Sequence, residues 1–381
     1  MTLENQILCE LIKEALFDIK YSPKESVNWD EVLREADKQA IIGLIAKQIP
    51  EEAGNEWKIT TSRIMSQTIR KFQAQSQLVQ LFENNNIPLA ILKGTAAAVY
   101  YPIPSYRTFG DIDFIVPQES FDKANDLMLE NGYQRINDDQ TENPRHHRYK
   151  KDDYTFEMHH HFSYPDLDIE NFIIDGLKHV EYSSCDGVSF PMLPRLANGM
   201  VLLAHMRCHL LSGMGLRQVL DWMMFVNKEL DDEFWQSEFK TAAESVHLDV
   251  LAKTVTRLCQ NCFGLPESIT WCKDVDEDLC DRLLDQLLMS GNFGVKLGKD
   301  KQFRTVMTAI QKNGIFKQLQ ISGEKNWILY KKNKWLKPFC WLYQIFRYCR
   351  QGIGARKKSK ISKDVQLSRE RYRLLKELKV I

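Results

Sequence analysis

The chain of 381 residues lacks any apolar run near the ~18–20 residues that a membrane-spanning helix requires, so no transmembrane segment is predicted. Its first residues, MTLENQILCELIKEALF, contain neither a basic stretch nor a cleavage site, which argues against a secretory signal. Glycine (18) and proline (12) are sparse, which excludes collagen-like and broadly disordered chains. Lysine plus arginine equals aspartate plus glutamate, 51 each, and this balance argues against nucleic-acid binding by the chain as a whole.

Nine cysteines, an odd number, are spread from Cys9 to Cys349. This spread predicts free thiols in a reducing compartment rather than a disulfide framework, and therefore a cytoplasmic location. Cys259 and Cys262 form a C-x-x-C pair, but no second pair follows at zinc spacing. We therefore interpret these two residues as buried thiols.

Helical periodicity dominates both ends of the chain, and strand patterns are confined to its middle. Asn28, with Glu31 three residues later, predicts a capped helix start, and a long helix is predicted over 56–84. The sequence therefore predicts an α+β fold, in which a small mixed-sheet α/β core is flanked by N- and C-terminal helical regions. The predicted divisions are 1–86 (N-terminal helices), 87–192 (core), 193–325 (C-terminal helical domain) and 326–381 (aromatic and basic helix followed by a basic tail).

The middle region alternates short apolar runs with turns and one clear helix. IPLAIL and DIDFIV read as strands, and the helix between 120 and 131 ends at a glycine. Residues 290–325 carry no pattern that assigns them. Predicted strands cover 87–92, 111–116, 133–136, 145–150 and 154–162, with a polar turn at 137–143.

Two acidic residues on the second strand are the strongest chemical signal. Asp111 and Asp113 are two apart, so both side chains face the same way along a strand. Two carboxylates that close repel each other unless a divalent cation such as Mg²⁺ lies between them. Gly110 lets a backbone or ligand approach, and the turn at Gly94 opens a helix whose amides can receive phosphate. This order predicts a site for a nucleotide and a metal.

The segment ILKGTAAAVYYPIPSYRTFGDIDFIV resembles the uncharacterised bacterial nucleotidyltransferase family, with its L-K-G and G-D-[IL]-D motifs, of the DNA polymerase beta-like nucleotidyltransferase superfamily. The commoner Gly-Ser pair of the superfamily is replaced here by Lys93-Gly94-Thr95. The resemblance implies a third carboxylate on a later strand, which we assign to Glu157 in YTFEMHHHF, with His159 as its neighbour facing the site. Asp152 and Asp153 are rivals that lie in a predicted turn.

The resemblance implies an enzyme that moves a nucleoside monophosphate from a nucleoside triphosphate to an acceptor hydroxyl of a small molecule, sugar or protein. Asp111, Asp113 and Glu157 would bind two Mg²⁺ ions, with Mn²⁺ as a substitute, or Glu157 would itself accept the hydroxyl proton. Two alternatives stay open: a non-catalytic nucleotide-binding adaptor, and a phosphotransferase that moves the γ-phosphate. The expected phosphate-binding residues are Lys93, Gly94, Thr95, Arg107 and Gly110, with a structural ion pair as the alternative for Arg107.

A helical segment downstream, HMRCHLLSGMGLRQVLDWMMF, resembles a part of the same family in which a histidine precedes L-R and an aspartate. It makes His209, Arg217 and Asp221 candidates for a substrate pocket. The alternative is helix packing, in which Arg217 and Asp221 simply pair at i, i+4.

Two further features are open or set aside. The runs His146-His147 and His159-His160-His161 do not predict a dedicated zinc site, because alternate strand residues face opposite ways. From Arg350 onward, eleven lysines or arginines stand against three acids, behind an aromatic helix. That segment is interpreted as a packed helix with a tail, a peripheral membrane contact or an RNA contact.

Overall fold

The computed structural model describes residues 1–23, 26–136, 145–163, 167–298, 300–350 and 358–381, with the side chains of 300–303 and 358–364 left aside. The predicted polar turn at 137–143 lies outside the described residues, as does the part of the basic C-terminal segment at 351–357. The α+β prediction is confirmed, because a seven-stranded mixed sheet is flanked by helices on both sides in the sequence.

Four helices precede the sheet among the residues described before it, 1–23 and 26–89. The predicted cap is present, since the Asn28 side chain accepts a hydrogen bond from the Glu31 N–H at 3.3 Å. The long predicted helix over 56–84 also forms, and Phe82 near its end packs edge-on against Phe114 of the sheet. The four helices are α1 (Leu3–Phe17), α2 (Trp29–Gln39), α3 (Ile42–Ile45) and α4 (Asn55–Asn84).

The sheet has the order β3-β4-β5-β2-β1-β7-β6. Its central strands are short and buried, with β2 parallel to β5 and antiparallel to β1. Three helices, α5 (Gly94–Ala98), α6 (Phe121–Glu130) and α7 (Glu170–Lys178), lie between strands along the chain. The strands are β1 (Ala90–Leu92), β2 (Ile112–Ile115), β3 (Gln134–Arg135), β4 (His146–Lys151), β5 (Tyr154–His159), β6 (Glu181–Cys185) and β7 (Val188–Met192).

The register of the central strands places acidic residues side by side. Asp113 on β2 lies directly beside Glu157 on β5, and Arg148 on β4 lies on the other side of Glu157. Phe114, which follows Asp113, and Phe156, which precedes Glu157, point to the opposite face, into the core, and are fully buried. Period-2 alternation therefore leaves the charged side chains on the opposite face, at one edge of the core.

In the part of the chain that the structure describes, eleven helices follow the sheet. The first six contribute residues to the C-terminal part of the core, and the last, α18, adds Leu374 and Leu375 to it. Among the described residues, no helix is both long enough and apolar enough to cross a bilayer. The helices are α8 (Arg195–Ser212), α9 (Leu216–Glu229), α10 (Asp232–Phe234), α11 (Lys240–Ser245), α12 (Asp249–Phe263), α13 (Glu277–Ser290), α14 (Asp300–Asn313), α15 (Ile315–Asn326), α16 (Ile328–Lys332), α17 (Cys340–Arg350) and α18 (Lys358–Glu377).

Candidate active site

The glycine turn after β1 holds a lysine in an unusual backbone conformation. Lys93 has φ +48° and ψ −109°, a backbone conformation that residues other than glycine rarely adopt and that costs on the order of 1–3 kcal/mol. Its ammonium Nζ donates to Oδ1 of Asp113 at 2.7 Å, and it lies 5.2 Å from the centre of the Phe162 ring. The turn thus directs a buried cation at the carboxylate on the neighbouring strand.

Three carboxylates, Asp111, Asp113 and Glu157, meet at this edge of the sheet, and we call them the carboxylate trio. Asp111 directly precedes β2 rather than lying within it, and it is the most exposed of the three. Arg148 lies between its two acidic neighbours, with Nε 3.2 Å from Glu157 Oε1 and Nη2 4.0 Å from Asp111 Oδ2. The trio is thus contacted by a cation on each side.

The environment separates the protonation of the three carboxyls. Burial would raise the pKa of Asp113, but Lys93 and His159 hold it well below its ordinary value. Burial first, and then the negative charge of Asp113, raises the pKa of Glu157 to about 8. Burial and Asp113 also raise the pKa of Asp111. A bound cation would favour the ionised form of Asp111 and Glu157, the two groups whose pKa is raised.

Two imidazoles border the trio. His159 Nε2 lies 3.1 Å from Asp113 Oδ1 and 3.8 Å from Glu157 Oε2, and His146 Nε2 lies 3.9 Å from Glu157 Oε1. Burial, and then nearby positive charge, lowers the pKa of His159 to about 4 and that of His146 to about 3, so both rings are neutral. Ligand atoms of His146, Glu157 and His159 all lie within 4.8 Å of one another, close enough to share one ion.

Arg107 and Asp221 form a buried ion pair between the core and α9. Arg107 Nε donates to Asp221 Oδ1 at 2.9 Å, and Nη2 donates to Asp221 Oδ2, which makes the pair bidentate. Tyr101 Oη donates to the same carboxylate at 2.9 Å. The structure thus gives Arg107 the ion pair that the sequence allowed as an alternative, although its side chain still borders the cleft. The i, i+4 spacing suggested that Asp221 pairs with Arg217, but Asp221 pairs with Arg107 instead.

Arg217 lines the cleft from α9. Its Nη1 donates to the Thr108 carbonyl oxygen at 3.2 Å, and among the described residues no group accepts a hydrogen bond from its buried Nε. Burial, followed by the charge of Arg107, lowers its pKa to about 10. Arg217 is a better-placed cation for an anionic ligand than Arg107, because no carboxylate among the described residues forms an ion pair with it.

These groups line a single cleft of about 410 Å³, within the ~300–1,000 Å³ range of small-molecule sites. Ten of the twelve predicted site residues border it, and the two exceptions differ in kind. Asp221 lies behind Arg107, and the side chain of Thr95 is buried, so Thr95 could meet a phosphate only through its backbone. Lining residues not predicted from the sequence are Phe109, Arg145, His146, Phe162, His205, Cys208 and Phe293.

The two glycines of the site are required for different reasons. A Cβ at Gly94 would lie 3.0 Å from the Phe109 ring, so Gly94 is required by packing. A Cβ at Gly110 would meet no atom within 4 Å, so the space beside it is available to a ligand.

Gly110→Ala should therefore leave the melting temperature of the free protein nearly unchanged while it weakens ligand binding. Gly94→Ala should lower the melting temperature without ligand, because the Phe109 ring must move. Differential scanning fluorimetry with and without a triphosphate compares the two. A drop in the ligand-free melting temperature of Gly110→Ala would show that this space is structural.

Comparison with known protein families gives one match. A family model described as an uncharacterised nucleotidyltransferase matches residues 25–264, well over half of the chain. The match runs from α2 to α12 and includes every lining residue of the cleft except Phe293. No curated protein matches the chain.

Proposed function

This chain belongs to the uncharacterised nucleotidyltransferase family, and we propose that it transfers a nucleoside monophosphate from a nucleoside triphosphate to an acceptor hydroxyl in the cleft. The observation that carries the proposal is the register of β2 and β5. It places Asp113 beside Glu157, next to Asp111 and within reach of a buried lysine. A cytoplasmic location stays a prediction.

The donor set of the cleft fits a divalent cation. The carboxylate trio supplies hard oxygen ligands, and a bound cation would offset the burial and the charge of Asp113 that raise the pKa of Glu157. We propose that the trio holds Mg²⁺ or Mn²⁺, which when bound would neutralise the triphosphate and acidify the acceptor hydroxyl. His146 and His159 add imidazole ligands, which favour Mn²⁺ or Zn²⁺ over Mg²⁺ at the position beside Glu157.

The chain's own residues supply binding and orientation. Lys93 orients Asp113 and contributes a positive charge near the phosphates. Arg217 offers its Nε, which no described residue accepts a hydrogen bond from, to a phosphate oxygen. The acceptor oxygen forms a bond to the α-phosphorus, and the bond from that phosphorus to the pyrophosphate oxygen breaks. A carboxylate oxygen of Glu157 is placed to accept the hydroxyl proton. Arg107 and Asp221 fix the wall of the cleft from behind.

Product analysis tests the proposal against its two rivals. Parallel incubations contain the protein, a divalent cation, a fractionated cell extract and triphosphate labelled at either the α- or the γ-phosphate. Nucleotidyl transfer places the α-label on an acceptor and releases the γ-label as pyrophosphate. Transfer of the γ-label alone identifies a phosphotransferase, and transfer of neither label with triphosphate still bound identifies a binding protein.

Divalent cations should raise the melting temperature of the wild-type protein by a few degrees in the absence of nucleotide. A ligand bound only by the folded state stabilises it by about 2.7 kcal/mol at one hundred times its dissociation constant. The double variant Asp111→Asn, Asp113→Asn should lose the shift. A double variant that responds to the cation like wild type would show that the metal does not bind to the trio.

A matched pair of histidine variants tests the imidazole ligands. His146→Gln should reduce the shift caused by Mn²⁺ more than that caused by Mg²⁺. His147→Gln should change neither, because His147 faces the other side of β4, against Phe121.

A further inference from the structure

An apolar surface whose residues do not line the cleft has the properties of a membrane-binding element. It lies on residues 314–350, which fold as α15, α16, a turn of 3₁₀ helix (Lys334–Phe339) and α17, and which we call the C-terminal hairpin. None of the described residues from 300 to 350 belongs to the main hydrophobic core. The hairpin is therefore an appendage with its own packing.

That packing is tight and orders the hairpin. Gly323 of α15 touches the Cys340 carbonyl so closely that any Cβ there would clash with it. Trp327 stacks on Tyr343 with ring centres 5.1 Å apart, and Asn326 Nδ2 donates to Gln344 Oε1 at 3.3 Å. The outward-facing side chains are therefore held in place.

On α17 a polar side chain is buried and apolar side chains are exposed, which is the reverse of a helix that packs its apolar face on a protein core. Gln344 is fully buried against α15, whereas Leu342, Ile345 and Phe346 form an i, i+3, i+4 stripe that faces outward. Phe346 is 66% exposed, and Trp335 on the preceding 3₁₀ turn is 71% exposed. A contiguous exposed apolar surface of this kind marks an interaction site. Further exposed apolar residues of the hairpin are Ile315, Phe316, Ile321, Ile328, Leu329 and Phe339.

The charge of the hairpin indicates what covers this surface. Between 314 and 350 the chain carries eight lysines or arginines and one glutamate. Lys331, Lys332, Lys334 and Lys337 are exposed beside Trp335, so cations border the apolar surface. Two copies of such a surface would repel each other, and nucleic acid offers no partner for exposed leucine and isoleucine. An anionic bilayer offers acyl chains to the apolar residues and negatively charged headgroups to the lysines.

We infer that the C-terminal hairpin binds the surface of an anionic lipid bilayer, with its apolar residues in the headgroup–acyl boundary and its lysines on lipid phosphates. This inference does not depend on the chemistry of the cleft. It makes the protein peripheral to the membrane and places an enzyme of this family at a lipid surface.

Flotation of the full-length protein with vesicles tests the inference. The wild type should float with phosphatidylglycerol vesicles and not with phosphatidylcholine vesicles, and high salt should weaken its binding. The double variant Trp335→Ser, Phe346→Ser should lose binding. Replacing the four lysines at 331, 332, 334 and 337 by glutamine should lower the partition coefficient on the order of 100-fold or more.

Ile59→Ser is the matched control, because Ile59 on α4 is 69% exposed and lies outside the hairpin. It should bind vesicles like wild type. The inference is overturned if wild type binds neither vesicle, if Ile59→Ser is as defective as the hairpin variant, or if RNA binds in preference to vesicles. A dimer that the hairpin variant dissociates, without vesicle binding, would also overturn it.

Discussion

Asp113→Asn should lower the rate of nucleotidyl transfer by about 10³-fold or more, because Asp113 is the buried member of the trio and the one that Lys93 orients. Losing a carboxylate ligand that anchors a catalytic cation removes several kcal/mol of charge stabilisation, and each ~1.4 kcal/mol is a factor of ten in rate. A transfer assay on purified protein, with thermal melting to confirm folding, measures the effect. A variant that keeps a tenth of the wild-type rate would contradict the proposed role of Asp113.

The same variant should also lose stability, so a second variant separates the two effects. Asparagine leaves the buried ammonium of Lys93 without its counter-ion, which costs about 3–5 kcal/mol when one partner of a buried pair is removed. Glu157→Gln should be equally inactive and yet more stable than wild type in chelator. An inactive, stable Glu157→Gln variant shows that the loss of activity does not arise from unfolding.

The stability of Glu157→Gln follows from the pKa of Glu157. The pKa of Glu157 is about 8 in the folded protein without metal and near its ordinary value of about 4.5 in the unfolded chain. The folded state keeps the Glu157 proton to a higher pH than the unfolded chain does. The free energy of unfolding of wild type therefore falls as the pH rises from about 4.5 to about 8. Glutamine does not ionise, and its advantage over wild type should grow through that interval. An advantage that is constant with pH would rule out this origin.

Among residues with no direct role in the chemistry, Asp221 should cause the largest loss of stability when it is replaced, in the variant Asp221→Asn. It leaves the guanidinium of Arg107 buried beside Arg217 and without the carboxylate that it pairs with. Removing one partner of a buried pair costs about 3–5 kcal/mol, and here a second guanidinium adds repulsion. Urea denaturation at neutral pH measures the change. A loss below about 1 kcal/mol would show that the pair is solvated in solution.

A double-mutant cycle isolates the Arg107–Asp221 interaction. Arg107→Met with Asp221→Leu removes both charges and should be less destabilised than Asp221→Asn alone, since no buried charge is left unpaired. Losses that simply add would show that the two residues do not interact.

The sequence predicted the parts of this fold that depend on local patterns. The cap at Asn28, the helix over 56–84 and the sheet flanked by helices all follow from periodicity and capping chemistry. The hairpin of β6 and β7 was missed, although Asp186-Gly187 carries a turn signal: both residues have positive φ, as a two-residue hairpin requires.

The parts of the site that were missed depend on contacts between distant segments. Asp221 meets Arg107, 114 positions away, whereas spacing on α9 pointed to Arg217. His146 reaches Glu157 because β4 pairs with β5 in one register, and a histidine run alone does not reveal its partner strand. The two aspartates read as mutually repelling, yet Lys93 neutralises one of them from a turn 20 residues earlier.

Anomalous diffraction from crystals of the full chain with Mn²⁺ and a non-hydrolysable triphosphate tests the central claim most directly. The account predicts anomalous peaks in coordination distance of Asp111, Asp113 and Glu157, with the triphosphate in the same cleft and a phosphate oxygen on Arg217. Peaks absent from the carboxylate trio, or a triphosphate bound outside the cleft, would contradict it.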